Sequence, residues 1–193
     1  MEFVVKNKYI PIGKSKWNTI FGILEENQWK NIYKNNFSNI KNTKFQWFQY
    51  RINQNILATN KYLFKIKILD SPLCTFCNVE EETIIHILWE CEKVQEFFSE
   101  IENWLRRYNI NLYFNKLSFV LSPNQSKNEA FNTILLALKY YIYKTRCLKK
   151  RLTINAFHNV IIDTYHIQKH IALRRDKFDK FTTDWCDWLP LIQ

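Results

Sequence analysis

Glycine is almost missing from this chain: Gly13 and Gly22 are the two among 193 residues, beside four prolines. So few positions free to adopt a positive φ exclude a glycine-rich phosphate loop and argue against a turn-dense all-β fold. Long hydrophobic runs are missing too. Nothing approaches the roughly 18–20 apolar residues that cross a bilayer, and the opening MEFVVKNKYIPIG has neither the apolar stretch nor the cleavage site of a secretory leader. The expectation is an intracellular protein, in cytoplasm or nucleus, with no membrane partner. In that reducing setting, clustered cysteines more often hold a metal than form a disulfide.

What the chain does have is positive charge, +10 at neutral pH, and it is unevenly placed. Residues 1–70 carry twelve Lys/Arg against four Asp/Glu, residues 71–105 one Lys against eight Glu, and residues 106–193 fifteen basic against six acidic. A polyanion would be held by the flanks and repelled by the middle. Three segments follow: a basic, aromatic-rich helical lead (1–58), a central region (59–108) and a basic helical C-terminal region (109–193).

The acidic middle contains CTFCNVEEETIIHILWEC, in which Cys74, Cys77, His86 and Cys91 gather three of five cysteines and one of four histidines. Two cysteines two residues apart can point inward from one tight turn. Thiolate with imidazole is the soft, borderline donor set that zinc takes at tetrahedral corners. Four protein ligands leave no open position for water, so the expected role is one structural Zn²⁺ with no catalysis at the metal. The competing readings are a coincidental run of buried cysteines and a disulfide.

Around the cluster the hydrophobic period is helical. Trp17, Phe21, Leu24, Trp29 and Tyr33 fit one or two short helices. Phe45, Phe48, Ile52 and Ile56 make one stripe, from which Trp47 or Tyr50 points away. Thr59 or Asn60 suits an N-cap. EETIIHILWECEKVQEFFSEIENWLRRY reads as helix with a break near Cys91, NINLYFNKLSFVLSPN as strand or loop. Ser126 with Glu129 forms a capping box for the long helix that follows. Cys147 and Cys186 are expected as free buried thiols. Trp185 and Trp188 read as an exposed docking edge. His166 and His170 with Asp163 are taken as solvated or hydrogen-bonded, not as a second metal site. The fold class is mostly α: a helical, bundle-like module around a small Cys-Cys-His-Cys zinc-stapled turn, with little or no sheet.

The run from Phe45 to Leu105 resembles the C-terminal zinc-binding region of reverse transcriptases from LINE-type (non-LTR) retrotransposons. Matching positions are Thr59, Asn60, Leu63, Lys65, Ser71, Cys74, Cys77, Glu82, Thr83, His86 and Cys91, then Phe97 and Phe98. The later ILLALKYYIYKTRC is similar to a segment near the end of such polyproteins. The resemblance implies a region that helps the enzyme grip template RNA, and target DNA, beside polymerase domains that this chain lacks. No Asp-Asp pair for a polymerase metal site occurs anywhere, nor any endonuclease constellation. The chain itself is therefore expected not to be an enzyme, although its parent would be an RNA-directed DNA polymerase.

Basic flanks interleaved with aromatics suit backbone contacts plus base stacking. The expected contacts are Lys61, Lys65, Lys67, Lys144, Arg146, Lys149, Lys150, Arg151, Arg174 and Arg175. At helical spacing Lys144 and Arg146 do not share a face. The alternative is a protein–protein interaction module derived from a retroelement, whose acidic helix and Trp-rich tail dock a partner.

Overall fold

Gly22, at φ +83°, lets the chain leave its first helix and turn into its second. The computed structural model describes residues 12–38, 42–121 and 128–192. In it α1 (Ile12–Phe21) and α2 (Glu26–Ser38) bury Trp17 and Trp29. The Trp17 indole N–H donates to the carbonyls of Ile52 and Asn53 at 3.0 and 3.1 Å, tying α1 to the last turn of α3 (Thr43–Asn53). Gly13 is needed at this crossing. A Cβ there would lie 2.6 Å from the Asn53 carbonyl oxygen.

α3 buries Phe45, Phe48 and Ile52 and leaves Trp47 60% exposed, as its period predicts. Ile56 falls beyond the helix and is exposed. Phe45 and Phe48 pack on Tyr140 of α7 (Glu129–Cys147) at ring distances of 5.3 Å. α7 is apolar on most of its circumference because it is the central element. Against it lie α3, α8 (Ile154–Arg174), α9 (Phe178–Trp185) and a single π-helical turn, His86–Glu90. α5 (Glu92–Arg106) presents Val94, Phe97, Ile101 and Leu105 to the core. One buried cluster draws side chains from all three sequence segments. No strand occurs among the described residues; an isolated bridge joins Leu73 to Glu81. No described helix is long and apolar enough to cross a membrane.

Several expectations are corrected. The segment expected as strand or loop is irregular to Asn115 and then helical, as α6 (Lys116–Leu121), because Phe119, Val120 and Leu121 bury together. Ser126 lies outside the described residues; α7 is capped by Asn128, whose side chain accepts from the Phe131 N–H. Trp185 and Trp188 are 1% and 2% exposed: they are core, with Trp185 packed on Tyr165 and Phe181. Phe181, Trp185 and Trp188 recur at i, i+4 and i+7, a buried stripe continued into a closing 3₁₀ segment, Cys186–Leu191. Cys147 and Cys186 are free, as expected, but exposed.

Candidate metal centre

Two short elements bring four donors to one point. The turn after Pro72 carries Cys74 and Cys77; it is closed by Cys74 N–H to the Glu80 carbonyl and Asn78 N–H to the Cys74 carbonyl, both at 2.8 Å. Asn78 takes the left-handed conformation (φ +56°) that asparagine tolerates. The π-helical turn then supplies His86. Its i→i+5 hydrogen bond, from the Cys91 N–H to the His86 carbonyl at 2.8 Å, ends the turn at Cys91, which turns extended and becomes the N-cap of α5. The helix break expected at Cys91 is thus the device that turns its sulfur inward.

The ligand atoms of Cys74, Cys77, His86 and Cys91 all lie within 4.8 Å of one another. Cys74 Sγ to Cys91 Sγ is 3.8 Å and Cys77 Sγ to His86 Nε2 is 3.4 Å. Zinc bonds of about 2.3 Å to sulfur and about 2.0–2.1 Å to nitrogen give tetrahedral edges of about 3.8 Å for S–S and about 3.5 Å for S–N. Both edges fit. A disulfide would need sulfurs about 2.05 Å apart. Among the described residues no second group of three or more His, Cys, Asp or Glu donors converges in this way.

The two facing thiols, Cys74 and Cys91, are held in opposite ways. Cys91 accepts from the Cys74 thiol and from the Lys93 and Val94 N–H groups, which together hold its thiol below the ordinary range. Cys74, donating to Cys91 and buried, is pushed up. The Phe76 N–H also points at Cys74 Sγ, at 3.4 Å. Binding of a divalent ion would release these protons and leave the backbone donors on thiolates. The Thr83 hydroxyl accepts from the His86 N–H at 2.9 Å and sets the approach of the imidazole.

Beneath the turn lies a second constellation that sequence reasoning did not foresee. Glu82 is wholly buried. One carboxylate oxygen accepts from the Asn60 N–H (2.7 Å) and pairs with Arg146 of α7. The other accepts from the Thr75 N–H and hydroxyl, each at 3.0 Å. The Arg146 guanidinium also donates to the Ala58 carbonyl at 3.1 Å and to the Asn60 side chain. One ion pair therefore ties the cysteine turn, the start of α4 (Asn60–Lys65) and the central helix together. Thr59, one of the two residues expected as a cap, caps α4 by accepting from the Tyr62 N–H. Arg146 is thus corrected from a nucleic-acid contact to an inward residue, 6% exposed, because a buried carboxylate claims its charge.

The other expected contacts, Lys61, Lys65, Lys67, Lys144, Lys149, Lys150, Arg151, Arg174 and Arg175, all lie at the surface. They do not form one patch by sequence alone. Lys61 is paired with Glu81 at 2.6 Å. Lys149, Lys150 and Arg151, at the turn after α7 where Lys149 takes φ +51°, share a groove of about 630 Å³ with Thr75 and Phe76 of the cysteine turn. Lys93, Glu96 and Glu100 complete its rim, with Lys93 and Glu96 paired to each other.

Comparison with curated proteins returns no match. Residues 13–98, less than half of the 193-residue chain but including all four candidate ligands, match the protein-family model for the zinc-binding region of reverse transcriptases.

Proposed function

We propose that this chain is a nucleic-acid-binding module, stapled by one structural Zn²⁺ on Cys74, Cys77, His86 and Cys91, of the kind that grips template RNA for a LINE-type (non-LTR) reverse transcriptase. It performs no chemistry of its own. The observation that carries this reading is the groove in which Lys149, Lys150 and Arg151 stand against Thr75 and Phe76 of the cysteine turn. The metal and the Glu82–Arg146 pair fix that turn to α7, and the basic triplet follows directly on the end of α7. The zinc is scaffold and the cations are the grip. DNA, another polyanion, would be held by the same charges with less reward from unpaired bases.

The test is binding of zinc-loaded protein to a labelled structured RNA across a salt series. Affinity should fall steeply with salt. A Lys149→Ala/Lys150→Ala/Arg151→Ala variant should lower the slope of log affinity against log salt by roughly 2–3, one counterion release per lost phosphate contact. Folded, zinc-bound protein with no RNA affinity near physiological salt would remove the assignment.

One observation favours the alternative of a protein-docking module. α4 and the segment after it expose Phe64, Ile66, Ile68 and Leu69 beside one another in the chain. The tail tryptophans that also pointed that way do not, since they are buried.

A further inference from the structure

We infer that a second pocket, between α1 and α4, accepts a single unpaired nucleobase of the bound strand. The inference rests on the nucleic-acid reading above and adds to it a site, a strand preference and a residue on which the base stacks.

The pocket has a volume of about 420 Å³, inside the range of about 300–1,000 Å³ that suits small-molecule groups. Its floor is apolar and rigid: Leu57, Ile84 and Ile85 are buried, and Trp17 is pinned by its two hydrogen bonds to α3. Tyr62, 43% exposed, and Ile20, 47% exposed, are its lining residues open to water. A phenol ring left half in water at the mouth of an apolar pocket, with no ring of the described residues stacked on it, is a stacking platform.

The charge around the mouth has one sign. Lys16, Lys61 and Lys65 line it, and no carboxylate does among the described residues. Lys61 is engaged by Glu81, but Lys16 and Lys65 make no ion pair among the described residues. An apolar slot with an aromatic wall and two uncommitted ammonium groups is complementary to a planar base whose flanking phosphates rest on the lysines. A paired base could not enter, because its edge and both faces are occupied in a duplex.

The same metal centre organises this pocket. Thr83, Ile84 and Ile85 run directly into His86, and the Thr83 hydroxyl holds the His86 N–H. On the opposite wall, Thr59 lies next to Asn60, whose N–H is fixed by Glu82. Zinc removal should therefore open the pocket.

The experiment uses short single-stranded RNA carrying one 2-aminopurine, whose fluorescence is quenched on stacking, against a fully paired duplex of the same sequence. With zinc-loaded protein, quenching and preferential single-strand binding are expected. Tyr62→Ala should abolish the quenching and weaken single-strand binding roughly tenfold or more while leaving duplex affinity unchanged, and Tyr62→Phe should restore both. Lys16→Ala/Lys65→Ala should lower the single-strand salt slope by about 1.4. Tyr62 makes no side-chain hydrogen bond among the described residues, so its variants are expected to fold, and circular dichroism checks this. RNA binding that is indifferent to Tyr62 overturns the pocket and leaves the proposed function standing. Tyr62-dependent capture of an acidic Glu/Leu-alternating peptide, with no effect on RNA, also overturns it. No RNA binding at all overturns both.

Discussion

The ion pair of Glu82 and Arg146 offers a sharp energetic test, because both charges lie away from water, at 0% and 6% exposure. Arg146→Met keeps an unbranched stem and removes the guanidinium with its charge. Glu82 would retain the Asn60 N–H and both Thr75 donors, yet its negative charge would have lost its counterion. Breaking a buried pair from one side costs about 3–5 kcal/mol, a large share of the roughly 5–15 kcal/mol that a domain commands. Glu82→Gln should cost a similar amount by stranding Arg146. The double variant should be less destabilised than the sum, with a coupling of about 2–3 kcal/mol. Urea unfolding of the zinc-loaded wild type, both single variants and the double variant measures all four corners. Zinc affinity should fall with stability in the single variants, since Thr75, which Glu82 holds, is flanked by the ligand Cys74. Additivity within about 0.5 kcal/mol would refute the reasoning, as would a single variant costing less than about 1 kcal/mol.

Further outcomes follow from other buried groups. Lys139 is enclosed by the core, 1% exposed, with its ammonium on the Gln49 side chain and over the Phe119 ring, and burial pushes its pKa down to about 7. Between that value and the ordinary one near 10.4 the unfolded chain binds more protons, so stability should rise with pH across the window. The rise, up to about 4–5 kcal/mol in total, should vanish in Lys139→Met when the two are unfolded in parallel. Gly13→Ala should destabilise by about 1–3 kcal/mol in thermal melts, since the new methyl meets backbone rather than a flexible side chain. Maleimide labelling of the zinc-loaded protein should count two fast thiols, Cys147 and Cys186, and all five once it is unfolded with a chelator.

The convergence of the four candidate metal ligands was legible from spacing alone because they are close in sequence: a turn and a helix break suffice to bring them together. The helices around them were legible for the same local reason, as was the Thr59 cap. What stayed hidden depends on distant partners. Arg146 looks like any cation near a helix end until Glu82, 64 positions earlier, is seen beneath it. Lys139 sits in an apolar run, ILLALKYY, where a single lysine reads as a solvated edge; α7 is central, so it has no solvated edge there. Trp185 and Trp188 did carry a local signal, the stripe shared with Phe181, but their buried state depends on Tyr165 and α8. The basic positions were legible as charge and not as a surface. Only folding sets Lys149, Lys150 and Arg151 against the cysteine turn.

The measurement that bears most directly on the account is a zinc titration of chelator-treated protein, followed by far-ultraviolet circular dichroism, proton release and metal content after gel filtration. The account predicts one zinc per chain, protons released as thiols become thiolates, and helical structure gained or stabilised with the same endpoint. Cys74→Ser should lose tight binding and that stabilisation together. A protein that is fully helical, equally stable and metal-free after exposure to excess zinc would contradict it.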